Sequence, residues 1–301
     1  MKKKMLFFIN PNAGHAEIRN CLMEVVQIFS VGGYDVTVHP TSAPKELTKK
    51  IVEDGAQYDL IVCTGGDGTL NEAVSGLMQL DAAVRPPLGY IPGGTVNDVA
   101  STLGLSKSPL TAARDIVCGR EFAMDIGQFN EGRWFCYVAA FGLFTQVPYE
   151  TPQEDKRALG RLAYLLEGVR TLADVKPIHV KVTCDGHTEE AEVIDGLVCS
   201  TTSVGGFKLG QPELGIALDD GKSEVVLIKN IRNLADFGNV AAHLLRLEFQ
   251  NDAFIWRQTG DVQFSFDEPV SWTLDGEFGG THTDVRIQIH KQALKILVPS
   301  E

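Results

Sequence analysis

At 301 residues, 44% hydrophobic and 22% charged, the chain has the composition of a folded globular protein with room for two domains. A net charge of -12 excludes a nucleic-acid binder that works by neutralising phosphates, and it disfavours simple adhesion to anionic lipid. The six cysteines are scattered without a C-x-x-C pair and the histidines lack H-E-x-x-H spacing, which reads as reduced thiols in a cytosolic protein without zinc.

In chain order, "KMLFFIN" reads as a buried strand, its apolar run too short for a signal peptide. Ile18, Leu22, Val25, Val26 and Phe29 then recur at helical spacing. "YDVTVHP" is a second strand, "APKELTKKIVEDG" a second helix and "YDLIVCT" a third strand. "TLNEAVSGLMQL" follows as a helix, "PLGYIPGG" as a fourth strand and "VNDVASTLGL" as another helix. Alternation with continuously apolar strands predicts a parallel sheet covered on both faces. Past Asp125 the pattern turns to period two. "HVKVTCDGHTEEAEVIDGLVCS" predicts two strands joined at an Asp-Gly turn. "SEVVLI", "DAFIWRQTG", "DVQFSFDE", "VSWTLDGE" and "VRIQIHKQALKILV" predict further strands, with helices near 155–173 and 232–249. The expected fold class is α/β plus mainly β. A parallel-sheet α/β domain covers 1–124 and an antiparallel β-sandwich domain 125–289, with a cleft between them. A C-terminal segment of about 290–301 can return to the first domain. The longest apolar stretch, 134–144, is too short to span a bilayer.

Three expected strands end in glycine-rich or Asn-Pro turns: "NPNAG", "GGDGT" and "PGGTV". In a parallel sheet, ligands bind beyond the carboxyl ends of the strands. Gly65, Gly66 and Gly68 let a phosphate approach backbone N–H groups, and the following helix offers its positive end. Asp67 would repel a bare phosphate, which suggests a divalent cation between them. The plainer reading is a structural turn with a helix cap. Thr41, after the second strand, lies at the same sheet edge. Asp275 and Glu277 in "LDGE" are two apart, one face of a strand, although the stretch reads equally as a hairpin turn.

The ordered set "NPNAG", "GGDGTLNEA", "PGGTVNDVA" and "LDGE" resembles the diacylglycerol kinase catalytic-domain family, in its bacterial lipid-kinase branch. "GRLAYLLEG", "SVGGF" and "LDDGKSEVVLI" extend the likeness through the second half. The resemblance implies an ATP-dependent kinase that moves the γ-phosphate to the hydroxyl of diacylglycerol or a related lipid alcohol. It places the nucleotide against Asn10, Pro11, Asn12, Ala13 and Gly14, against Thr41, and against Gly65, Gly66, Asp67, Gly68, Thr69, Leu70 and Asn71, with Thr95. Asp67 would reach Mg2+, Asp275 would be the general base, and Glu277 would contact nucleotide or metal. A structural Mg2+ would be held by Asp220 with the carbonyls of Ala217 and Lys222. Glu72 is expected to position the loop.

The family often has a lysine and an arginine where His15 and Ser101 stand, which leaves neutralisation of the triphosphate to other groups. The leucine stripe near 155–173 reads as core with a solvated basic rim, in preference to a membrane-facing helix. The expected setting is cytoplasmic, peripheral at the inner membrane face, acting on a lipid substrate in phospholipid metabolism, with a homodimer left open. Two alternatives stand beside the kinase: an NAD kinase-like enzyme and a non-catalytic nucleotide- or lipid-binding protein.

Overall fold

The computed structural model describes residues 2–11, 17–142, 176–201, 203–204, 207–208, 217–246 and 248–300. The helix expected near 155–173 lies outside the described residues, as do Asn12, Ala13, Gly14 and His15.

The first half builds strands β1 (Lys3–Ile9), β2 (Tyr34–Pro40), β3 (Leu60–Gly65) and β4 (Leu88–Pro92), paired in parallel in the order β4-β3-β1-β2. Period-two alternation splits the inner strands between two cores. Leu6, Phe8, Ile61 and Cys63 face helices α2 (Glu46–Asp54) and α3 (Asp67–Leu77), where Leu47, Ile51, Val74 and Leu77 meet them. Met5, Phe7, Leu60 and Val62 face α1 (Glu17–Val31), through Val25 and Phe29, and a further helix that contributes Ala112, Ala113 and Ile116. The edge strand β2 has no fully buried residue, its partly buried positions standing among exposed ones.

Helix α4 (Asp98–Thr102) is shorter than "VNDVASTLGL" predicts, because Gly104 turns left-handed at φ 68. Helix α5 (Pro109–Cys118) was not expected, although its start is conventional: Ser108 caps it and Pro109 opens it.

The second half is antiparallel, apart from one parallel bridge at its seam with the first. Its strands are β5 (Arg120–Phe129), β6 (Arg133–Phe135), β7 (Val138–Gly142), β8 (Ile178–Cys184), β9 (His187–Cys199), the short β10 (Ser203–Val204) and β11 (Phe207–Lys208), and β12 (Ser223–Lys229). After α6 (Leu234–Arg246) come β13 (Phe254–Thr259), β14 (Asp261–Leu274) and β15 (Glu277–Val298). β14 pairs with β8 over its first part and β7 over its last, and β9 pairs with both, so these four strands close on themselves. Inside sit Phe141, Phe264, Val198, Leu227 and Trp272, the last 0% exposed. "DVQFSFDE" and "VSWTLDGE" are therefore one strand with a register shift between Ser265 and Val270, not two strands.

β15 joins the halves. It pairs antiparallel with β14 and β5, and its far end bridges β4 in parallel at Ile296 and Leu88. The sheet thus runs without a break from the α/β layer into the β layer. The cleft opens where the C-terminal ends of β1, β3 and β4 meet the β14–β15 hairpin.

Candidate active site

Four loops converge at the top of the parallel strands, tied by their own backbone. Asn10 N–H donates to the Thr64 carbonyl at 3.3 Å, Gly93 N–H to the Gly65 carbonyl at 2.7 Å, and Thr41 N–H to the Ile9 carbonyl at 2.8 Å. Asn10 Nδ2 also donates to Thr69 Oγ1 at 3.2 Å. Pro11 follows at the same end, and Thr95 stands exposed on the loop after β4. Leu70 differs from its neighbours. Its side chain is core and its N–H is taken by the Gly66 carbonyl, so it has no free polar group to offer.

The glycines divide by what surrounds them. A Cβ on Gly66 would lie 3.3 Å from the Gly94 Cα, and one on Gly94 would lie 2.5 Å from the Gly66 Cα. The contact of these two loops therefore demands glycine at Gly94 and leaves little room for a side chain at Gly66. Gly68 is the open one: a Cβ there meets only Glu277 Oε1, at 3.5 Å.

Asp67 is the first residue of α3. Its Oδ2 accepts from Asn97 N–H at 2.9 Å, while its Oδ1 is buried and has no partner among the described residues. Burial pushes its carboxyl up to about 6, and the charges of Asp98 and Asp275 add to the shift against two backbone N–H donors, those of Asn97 and Asp98. A buried carboxylate oxygen without a donor is a costly arrangement unless a cation reaches it. Among the sequence-predicted site residues Asp67 most clearly fits Mg2+.

Asp275 opens the two-residue turn between β14 and β15, with φ 49, and Gly276 follows with φ 86. This is the left-handed pair that tight hairpins require, and Asp tolerates it. "LDGE" is thus a hairpin turn, as is "CDGH", where Asp185 has φ 49 and Gly186 φ 82. Their carboxylates differ. Asp185 is exposed and accepts from Thr259 Oγ1 at 2.8 Å. Asp275 is 5% exposed and accepts four hydrogen bonds. Oδ1 takes the N–H groups of Tyr137 at 3.0 Å and Val138 at 3.1 Å. Oδ2 takes Cys136 N–H at 2.6 Å and Asn71 Nδ2 at 2.7 Å. Burial raises its pKa, with these four donors opposing. Glu277 is exposed and faces the start of α3 across Gly68. Glu72 accepts from Lys45 N–H at 3.0 Å and so holds the start of α2, whereas the sequence led us to expect it to position the glycine-rich loop.

The structure brings together Asn10, Thr41, Gly65 to Asn71, Asp275 and Glu277. Asp220 is elsewhere, at the loop before β12. Its Oδ1 accepts from Lys222 N–H at 2.9 Å. Beside it Asp125, 1% exposed, accepts from Gly221 N–H and Gln292 N–H, each at 2.6 Å. Burial raises Asp125, and the charges of Asp220 and Asp219 raise it further. Glu224 is pushed up to about 7, mainly by burial, and its Oε2 has no partner among the described residues. Negative charge is concentrated here, with Ala217 and Lys222 flanking the turn. Even so, no group of three or more His, Cys, Asp or Glu side chains is poised to hold a metal among the described residues. Cavities of about 500 and 550 Å³ open in the second half, lined by residues such as Glu192, Lys229 and Asp236 or Cys184, His187 and Arg257, away from the cleft.

Sequence reasoning singled out Thr95 in the loop after β4 and passed over Asn97 and Asp98, both buried. Asn97 is left-handed at φ 57, and its Oδ1 accepts from Gly94 N–H at 3.0 Å and Tyr90 Oη at 3.2 Å. The signal was present in "GTVND", since Asn is the residue other than Gly that most readily takes that conformation.

Known proteins agree with this layout. Residues 4–129 match the family described as "Diacylglycerol kinase catalytic domain", and 141–298 match "YegS C-terminal NAD kinase beta sandwich-like domain". The chain is 35% identical to the diacylglycerol kinase of Bacillus subtilis (strain 168), over 100% of this chain and 98% of that protein. It is 30% identical to the diacylglycerol kinase of Staphylococcus carnosus (strain TM300), over 100% and 97%. A crystal structure of a diacylglycerol kinase from Bacillus anthracis str. Sterne superposes with TM-score 0.79 at 26% identity, covering 99% of this chain and 97% of that one.

Proposed function

The chain belongs to the diacylglycerol kinase catalytic-domain family, and from that premise we propose how its cleft works and on what. It is an ATP-dependent lipid kinase, transferring the γ-phosphate of ATP to a lipid hydroxyl. Our reading of the acceptor is diacylglycerol, the substrate that its relatives' names carry. We divide the chain at about 124 into a nucleotide-binding part and a lipid-binding part, with residues from about 290 returning to the first. Among the described residues no helix is long and apolar enough to cross a membrane. We take the enzyme to act peripherally, at the cytoplasmic face.

The observation that carries the reading is that helix α3, which opens with Asp67, reaches Asp275 of the second half through Asn71, whose Nδ2 donates to Asp275 Oδ2 at 2.7 Å. ATP lies against Asn10 to Gly14, Thr41 and Thr95, and along the loop and helix start from Gly65 to Asn71, where the side chains of Leu70 and Asn71 are turned to the protein. Asp67, whose Oδ1 has no partner among the described residues, would hold Mg2+, which when bound would draw charge off the phosphates. This matters because Ser101 supplies no cation. Asp275 accepts the proton of the lipid hydroxyl as its oxygen closes on phosphorus. Its burial favours the protonated form, which suits a base. Glu277 faces the nucleotide from the other side of Gly68. Asp220, with the carbonyls of Ala217 and Lys222, would hold a structural Mg2+. The sequence alternatives weaken accordingly: the full-length relatives are diacylglycerol kinases, and both acidic groups of a working site are retained.

A panel of acceptors with labelled ATP and Mg2+ in detergent micelles tests this. Diacylglycerol is expected to take label ahead of phosphatidylglycerol, ceramide and a polyprenol, with none passing to NAD. Label on NAD and on no lipid would overturn the reading.

A further inference from the structure

The resemblance counts Asn71 among the nucleotide contacts, but its side chain is already committed. Nδ2 donates both to Asp275 Oδ2, at 2.7 Å, and to the Trp134 carbonyl, at 3.1 Å. Oδ1 accepts from Ser75 Oγ at 3.4 Å. An amide has two N–H donors, and both are used within the protein. Trp134 is in β6 and Asp275 at the β14–β15 turn, so this one side chain on α3 ties the first half of the chain to two elements of the second.

The four donors on Asp275 are not equivalent. Three are backbone N–H groups of residues 136–138, fixed by the chain that carries them. The fourth, Asn71, is the one side-chain donor among them, and it stands one helical turn after Asp67 on the same face of α3. We propose that Asn71 is a positioning residue for Asp275: it aims the carboxylate from the helix that begins at the nucleotide loop, and it does not bind ATP through its side chain. The proposal rests on Asp275 being the general base. It gives the GGDGT helix a second task, since the element that cradles phosphate also sets the group that receives the proton.

The test is a double-mutant cycle on the full chain, read by single-turnover transfer to short-chain diacylglycerol and by calorimetric ATP titration. Asn71→Leu keeps the volume and removes both donors. It is expected to lower kcat about a hundredfold, the scale at which small misplacement of a reacting group acts. ATP affinity is expected to stay within about twofold, because no nucleotide contact is lost. In the Asp275→Asn background the same substitution is expected to change kcat by less than about threefold, since residues acting through one another are not additive. A loss of ATP affinity as large as the loss of kcat overturns the proposal, making Asn71 a nucleotide contact. So does an undiminished effect of Asn71→Leu in the slowed Asp275→Asn enzyme, which leaves the base assignment standing. If Asp275→Asn alone turns over like wild type, the base assignment fails and this proposal falls with it. Should Asn71→Leu not fold, Asn71→Ser takes its place in the cycle with the same expectations.

Discussion

Two glycine substitutions separate packing from ligand approach. Gly94→Ala places a methyl 2.5 Å from the Gly66 Cα and 2.8 Å from Asn97 Oδ1. Neither can yield cheaply: one is backbone, and the other accepts hydrogen bonds from Gly94 N–H and Tyr90 Oη. Overpacking of this kind costs about 1–3 kcal/mol. At about 2–4 °C per kcal/mol, the melting temperature falls by about 2–12 °C. Gly68→Ala is the opposite case. Its methyl makes an ordinary 3.5 Å contact with Glu277 Oε1, and Gly68 is not in the left-handed region. Exchanging glycine for alanine within α3 gains about 0.5–1 kcal/mol, so stability is unchanged or slightly higher. The methyl stands where a phosphate would approach, and a loss of about 1.4 kcal/mol or more there weakens ATP binding about tenfold or more. Differential scanning calorimetry and ATP titration of both variants make the comparison. A Gly68→Ala protein that binds ATP as tightly as wild type refutes the cradle, and a Gly94→Ala protein without loss of melting temperature refutes the loop contact.

Added Mg2+ is expected to raise the melting temperature without nucleotide, by mass action on the folded state. Asp220→Ala removes most of that rise, and a rise that persists moves the ion to another site, with Asp67 the first to test. Asp67 supplies a pH signature, because its folded pKa of about 6 lies above the ordinary 3.8. Between those values the folded state holds a proton that the unfolded chain has released, so stability from this group falls as pH rises through the window. Melting curves of wild type are expected to drop relative to Asp67→Asn from about pH 4 to about pH 6, and parallel curves would contradict the burial argument. Glu277→Gln, at an exposed position, is expected to slow turnover with the melting temperature unchanged. Equal turnover would remove Glu277 from the site.

The α/β half was legible because its signals are local. Continuous apolar strands such as "LIVCTG" can be buried on both faces only in a covered parallel sheet, and the pairing of β3 with β1 and β4 follows that pattern. The apolar run 134–144 was read only for its length, yet it begins in β6 and contains β7, two of the strands that flank Asp275. The merged strand β14 was read as two because Asp267, Glu268 and Pro269 punctuate it, where the structure has a register shift. The site was legible in its glycines and aspartates and not in its contacts. "CDGH" and "LDGE" carry the same turn signal, and what makes Asp275 special is a cage from residues 136–138 and from Asn71, 204 positions away. No local pattern encodes a pairing of that span. The close approach of Gly66 to Gly94 is equally non-local, so the packing demand on this pair of glycines was not legible beside the phosphate reading.

Single-turnover phosphate transfer by Asp275→Asn tests the central claim most directly. An amide cannot satisfy the four donors that the carboxylate accepts: one of its two faces must turn N–H groups toward N–H groups. At least one buried backbone donor is left without an acceptor, which costs about 1–3 kcal/mol of stability. The assay is therefore run well below the lowered melting temperature, at saturating ATP, Mg2+ and short-chain diacylglycerol. Loss of general-base assistance is expected to slow transfer by about a hundred- to ten-thousandfold with ATP still bound. A folded Asp275→Asn enzyme that transfers phosphate within about threefold of wild type would contradict the account, because a factor that small is far below what a lost base costs.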